Sequence, residues 1–178
     1  MAFATEGDSA QARLTNCFLC RDACQQQIDS IQTPFNLCLE GVLAYTKLDE
    51  YFVPFYEWAM SVYMPIIVLS AGLEPLIRAL LVKGLGSRAE DIEIVANEVV
   101  VRDSHDSIDE EGGWQIRFRD DSESGNDKAA FIRLYAQHRD RSPESCKSIL
   151  IYAGDGVSDL KAAGGTDLLF AKEGNGAL

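Results

Sequence analysis

The sequence predicts an α/β fold: a mainly parallel sheet with helices on both faces, beside a small helical layer. Three observations carry this. Short apolar, β-branched runs such as Pro65-Ile-Ile-Val-Leu69 and Ser148-Ile-Leu-Ile-Tyr-Ala153 have the composition of strands buried on both faces. Segments with helical spacing separate these runs, and alternating strands and helices imply crossover connections. The first third of the chain has no such run and, after a polar and aperiodic first dozen residues, is helical in period.

Each element follows in order. Residues 14–31 have a helical pattern that ends at the Thr33-Pro34 step, because the residue before proline avoids the helical region. A second helix is expected over 35–45. A third, over 49–60, carries Tyr51, Phe52, Phe55, Tyr56 and Trp58, aromatics whose spacing suits helix packing. The strand at 65–69 stops at Ser70-Ala71-Gly72 and a helix follows over 73–82. Residues 92–96 form another short strand. Residues 98–102 and 114–118 alternate around an acidic, Gly-ended stretch, which predicts a β-hairpin flap over 98–119. A helix over 128–138, a buried strand over 148–153, a break at Gly154-Asp155-Gly156, a helix from Ser158 or Asp159 and a last strand over 166–171 complete the chain. The helical segment 14–62 and the sheet-bearing segment 63–178 are the expected domains.

Composition bounds the function. The chain has 178 residues, 47% apolar and 25% charged, which excludes collagen-like, low-complexity and wholly disordered classes. Its longest notable uncharged stretch, 58–73, is interrupted by Ser, Pro and Gly and is not a membrane helix. The start, MAFATEGDSAQ, is neither basic nor followed by an apolar core, so the expectation is a cytosolic chain without a secretory signal. Sixteen Lys and Arg against 28 Asp and Glu give a net charge of −12. That surface repels phosphate backbones and anionic lipid, so neither nucleic acid nor membrane is expected as a partner. A small anionic ligand needs a local site that reverses the field, and the acidity suits a divalent cation. Five cysteines without an export signal read as free thiols. Cys17, Cys20 and Cys24 fall on one face of the first helix and read as a buried stripe rather than a zinc site, which needs further ligands.

In sheets of this kind the site lies beyond the carboxyl ends of the strands. Ser70, and then the run from Gly154 to Asp159, sit at such ends. A Ser beside Ala71, Gly72 and a helix N-terminus suits an anion, because backbone N–H groups and the helix dipole favour phosphate there. Ser is equally a helix N-cap. Asp155 and Asp159, with Gly154 and Gly156 permitting close approach, are hard oxygen donors of the kind magnesium takes; alternatively Asp159 caps the helix and Asp155 stabilises the turn. Lys128 opens a helix against the dipole, which a phosphate and neighbouring carboxylates explain, as does pairing with Asp127 or Glu123 in solvent. His105 and His138 lie in polar segments and receive no catalytic role.

Taken together, Ser70, Lys128 and the pair Asp155 and Asp159 form an ordered series that resembles the haloacid dehalogenase superfamily, in its phosphoserine-phosphatase-like branch. The stretches that carry the resemblance are IIVLSAGLEPLIRALL, EIVANEVV, GGWQIRF, GNDKAAFIRLYA and ILIYAGDGVSDLKAA followed by TDLLFAKEG. It covers about residues 14–174, and sequences this close are fungal phosphatase-like proteins. The resemblance implies a Rossmann-like core with a helical cap over 14–62, Mg²⁺ held by Asp155 and Asp159, and phosphoryl binding by Ser70, Ala71, Gly72 and Lys128, with Ser70 and Lys128 as catalytic participants. The family's first motif, an apolar strand ending in DxDx(T/V) that bears the nucleophile and general acid/base, is absent. Its nearest echo is Phe3-Ala-Thr-Glu6-Gly-Asp8-Ser9, with Glu6 at the nucleophile position and Asp8 at the acid/base position. Otherwise the first strand is missing, and the chain also stops before the last strand and helix of such a fold. The expected function is that of a Mg²⁺-dependent phosphomonoesterase by ancestry, weak or inactive in hydrolysis. The alternative is a non-catalytic or repurposed relative that binds an anionic small molecule or a protein partner. An uncovered sheet edge or cap face favours self-association.

Overall fold

Pro34, Pro54 and Pro75 each stand at or near a helix start, where a missing N–H costs least. The computed structural model describes residues 21–140, 149–154, 159, 162 and 164–172, and the chain divides into two units after Asn126.

In the first unit, α1 (Arg21–Asp29), α2 (Phe35–Tyr45) and α3 (Phe52–Ser61) precede β1 (Ile67–Leu73) and α4 (Glu74–Leu85). A 3₁₀ turn (Gly86–Asp91) then leads to β2 (Glu93–Val101) and β3 (Trp114–Arg117). The strand order is β1-β2-β3; β1 and β2 are parallel, β2 and β3 antiparallel. Arg78 fixes the exit from the turn, donating from Nη1 to the carbonyls of Ala89 at 2.7 Å and Ile92 at 3.0 Å.

Two apolar clusters hold these elements. Tyr56, Leu81, Leu85, Ala89 and Ile92 pack α3 against α4 and the start of β2. Phe35, Leu73, Trp114 and Ile116 form the second, with Cys24 and Cys38 packed against it. Phe35 meets the Trp114 ring edge-on at 5.3 Å, and the indole N–H donates to the Thr33 carbonyl at 2.9 Å, so the residue before Pro34 is tied to β3. Cys24 thus belongs to an apolar surface; Cys17, Cys20 and Cys146 lie outside the described residues.

The strands of the first unit differ from the sequence reading in two places. The first does not stop at residue 69 but runs on to Leu73, and α4 begins only at Glu74. The segments expected at 92–96 and 98–102 are one strand, β2, which passes through Asn97. A polar residue in a β-run reads as a break; here its side chain is buried and fully engaged, as set out below.

The second unit contains α5 (Lys128–Asp140), β4 (Ile151–Gly154) and β5 (Leu168–Ala171). β4 and β5 are parallel, with Ile151 opposite Leu168 and Gly154 opposite Ala171. Asp167 secures the start of the pair, its Oδ2 accepting from the Leu150 N–H at 2.8 Å while its own N–H reaches the Leu150 carbonyl at 2.9 Å. The first unit thus carries a mixed three-stranded sheet and the second a parallel strand pair, elements of a mixed α/β fold of Rossmann-like character. Among the described residues, no helix is long and apolar enough to cross a membrane.

Candidate functional site

The pairing of β1 with β2 is regular from Ile67 opposite Glu93 to Leu69 opposite Val95, and resumes at Leu73 opposite Asn97. Ser70, Ala71 and Gly72 therefore stand where β2 supplies only Ala96. A bulge of this kind takes carbonyls out of the ladder, and each must find another partner or be left costly. Two buried asparagines provide them. Asn126, 2% exposed, donates from Nδ2 to the Ser70 carbonyl at 2.7 Å and to the Val95 carbonyl at 3.0 Å. Asn97, 0% exposed, donates from Nδ2 to the Ala71 carbonyl at 2.8 Å, and its Oδ1 accepts from the Arg119 N–H at 3.0 Å.

Ser70 is not a helix N-cap. Leu73 occupies that position with no side-chain bond, and the Ser70 Oγ instead accepts from the Gly72 N–H at 3.0 Å. A hydroxyl used as acceptor keeps its own proton to donate. Ala71 and Gly72 are exposed on the bulge, which leaves a hydroxyl and small residues where a ligand can approach closely.

In the second unit, Lys128 and Asp159 come together. The Lys128 Nζ donates to Asp159 Oδ1 at 2.6 Å, with the two side chains only 14% and 5% exposed. The Tyr152 hydroxyl, from β4, donates to the same oxygen at 2.7 Å. Gly154 makes room for this carboxylate: a Cβ there would lie 2.6 Å from Asp159 Oδ2. Asp127 is not the lysine's partner in solvent; its Oδ1 caps α5 by accepting from the Ala130 N–H at 3.0 Å. A capping carboxylate and a buried one together offset the unfavourable placement of Lys128 at a helix start.

The other expected site residues divide simply. Ser70, Ala71 and Gly72 lie on the bulge of the first unit. Glu6, Asp8 and Asp155 lie outside the described residues. His105 is half-buried at the end of a turn, its Nδ1 3.4 Å from the Asp103 carbonyl. Sequence reasoning did not single out Asn97, Asn126 or Tyr152. For the asparagines a signal existed, a lone amide inside a β-run and another in the GND turn; Tyr152 is indistinguishable from its apolar neighbours. Among the described residues, no group of three His, Cys, Asp or Glu side chains is placed to hold a metal. The chemistry of the donor that is described nevertheless fits magnesium: Asp159 is a buried carboxylate lying against side-chain-free backbone.

Comparison with known proteins gives two curated relatives and a family match. The Pdp3-interacting factor 1 of Schizosaccharomyces pombe is 43% identical over 155 residues, covering 86% of this chain and 63% of that protein. The polyol phosphate phosphatase PYP1 of Saccharomyces cerevisiae is 37% identical over 157 residues, covering 86% of this chain and 62% of that protein. The chain thus spans somewhat less than two thirds of the length of either relative. Residues 20–164 match the family described as haloacid dehalogenase-like hydrolase, a match extending over most of the sequence, and the chain belongs to that family.

Proposed function

We propose that this chain binds the phosphoryl group of a small phosphomonoester together with Mg²⁺, and that its hydrolysis of such esters is weak or absent. The observation that carries the reading is the buried Lys128–Asp159 pair, steadied by Tyr152 and seated against Gly154. A lysine and a carboxylate removed from water at one place, in a protein of net charge −12, suit a ligand that carries both phosphate and a divalent cation. In this reading Lys128 donates to phosphate oxygens, and the Ser70 hydroxyl and the backbone at Ala71 and Gly72 bind the phosphoryl group. Asp159 and Asp155 hold the metal. Bound Mg²⁺ would supply charge neutralisation at the phosphoryl oxygens.

The proposal of weak hydrolysis applies to these 178 residues alone and draws on one feature of them. No DxDx(T/V) motif is present, so the covalent route lacks its nucleophile unless Glu6 or Asp8 serves. Loss of a nucleophile lowers such rates by about 10⁴-fold or more. The similarity to a polyol phosphate phosphatase makes polyol phosphates the first natural esters to try.

The test is phosphate release from p-nitrophenyl phosphate and from a polyol phosphate, with Mg²⁺ and with chelator. The expected result is a rate near background from folded protein. A Mg²⁺-dependent rate abolished by Asp155→Asn contradicts the weak-hydrolysis reading and directs attention to Glu6 and Asp8.

A second reading, a non-catalytic protein that binds a protein partner, draws on one feature. Tyr51, Phe55, Trp58 and Val62 are exposed along one side of α3, with Phe55 and Trp58 ring centroids 6.0 Å apart. One relative is itself named for an interaction with another protein. Under this reading, Trp58→Ala abolishes partner capture while phosphate binding is unchanged.

A further inference from the structure

The asparagines beneath the β1 bulge do more than satisfy two carbonyls. A peptide group is planar and trans, so its C=O and the N–H of the next residue point in opposite directions. Fixing the Ser70 carbonyl therefore fixes the Ala71 N–H, and fixing the Ala71 carbonyl fixes the Gly72 N–H. Asn126 holds the first carbonyl at 2.7 Å and Asn97 holds the second at 2.8 Å. Both amides are buried, so both carbonyls are drawn inward and the Ala71 N–H is turned away from the buried amide. The Gly72 N–H reaches the Ser70 Oγ at 3.0 Å, which orients the hydroxyl as well.

Each asparagine is also braced elsewhere. Asn97 accepts from the Arg119 N–H, and Asn126 bridges to the Val95 carbonyl of β2, so neither amide can rotate without losing a second bond. A bulge held only by its neighbouring backbone has several peptide orientations of similar energy; one clamped from two buried sides has one. Donors fixed before a ligand arrives cost no reorganisation on binding.

We propose that Asn97 and Asn126 are positioning residues for phosphate. They lock the two peptide planes of residues 70–72 so that the Ala71 N–H and the Ser70 hydroxyl, itself oriented by the Gly72 N–H, are pre-set for an anion. This rests on the reading of residues 70–72 as phosphate-binding. The asparagines themselves touch no ligand.

The experiment is an NMR titration of the ¹⁵N-labelled full chain with inorganic phosphate in the presence of Mg²⁺. Wild type, Asn97→Ala, Asn126→Ala and Leu85→Ala are compared; the last is a truncation in the other apolar cluster that controls for lost stability. Each asparagine variant is expected to weaken phosphate binding by roughly tenfold, the equivalent of one lost charge-assisted hydrogen bond. The Ala71 and Gly72 amide resonances should be displaced before phosphate is added, and Leu85→Ala should leave affinity unchanged. Folded asparagine variants with wild-type affinity, or with a loss no greater than that of Leu85→Ala, overturn the proposal. If the alanine variants do not fold, the wild-type side-chain amides of Asn97 and Asn126 decide: resonances that stay near their free-state positions while the Ala71 amide shifts on phosphate saturation support a pre-set clamp, and side-chain amides displaced as far as Ala71 overturn it. Failure of the underlying reading looks different: wild-type protein then shows no phosphate-dependent shift at Ala71 or Gly72, and the proposal falls with it.

Discussion

A lysine at the first position of a helix meets the positive end of the helix dipole, and Lys128 is held there by a carboxylate that is itself almost wholly buried. The pair is asymmetric in its consequences. Lys128→Met removes the cation paired with Asp159, and breaking such a buried pair costs about 3–5 kcal/mol. Urea unfolding should show that loss, and Lys128→Met/Asp159→Asn should cost less than the two single changes added together. Gly154 is the second test at this scale. A methyl group there would lie 2.6 Å from Asp159 Oδ2, so Gly154→Ala should displace the carboxylate and weaken Mg²⁺ binding, read by calorimetry. Lys128 and Asp159 could be singled out in the sequence because a lysine at a helix start opposes the dipole and GDGVSD sets carboxylates beside glycines, but that the two side chains meet could not. Tyr152 could not be singled out, because within ILIYA a tyrosine reads as one more apolar strand residue, and only the folded chain shows where its hydroxyl lies.

At the scale of elements, the turn that delivers Asn126 to the bulge depends on one glycine. Gly125 has φ +68°, and its carbonyl accepts from the N–H groups of Arg119 at 3.0 Å and Asp120 at 3.2 Å. The Phe118 ring occupies the space a Cβ would need. Gly125→Ala therefore combines a left-handed backbone with a steric clash and should destabilise the fold by about 2 kcal/mol or more, measured by thermal denaturation. The helices α2 and α3, the strand pairs and α5 were readable from period and composition, but the burial expected of the strand over 148–153 was not met: Ile149 and Ile151, like Leu168, Leu169 and Phe170 of β5, are exposed. The course of β1 through Ser70, Ala71 and Gly72, and the continuity of β2 through Asn97, were not readable. Serine, glycine and asparagine interrupt an apolar pattern in the same way whether the chain turns or bulges. What separates the cases is a tertiary hydrogen bond from a residue 26 or 56 positions away.

At the scale of the whole molecule, alkaline pH provides a check on the packing of the second apolar cluster. Burial raises the thiols of both Cys24 and Cys38 above their ordinary value, which favours the neutral form in the folded state. The contribution is complete below the unfolded thiol pKa and is lost as pH rises through the folded one. The urea midpoint should fall between about pH 8 and 10, and fall less in Cys24→Ala/Cys38→Ala than in wild type. Membership of the haloacid dehalogenase-like hydrolases was legible because its motifs lie in order along the chain. The substrate was not, because nothing in local pattern specifies the surface that would face it.

The most direct measurement is calorimetric titration of the purified chain with inorganic phosphate in the presence of Mg²⁺. The account predicts saturable binding that requires Mg²⁺ and is weakened by Lys128→Ala in folded protein. Binding that is absent, or that is unchanged by chelator and by Lys128→Ala, would contradict it.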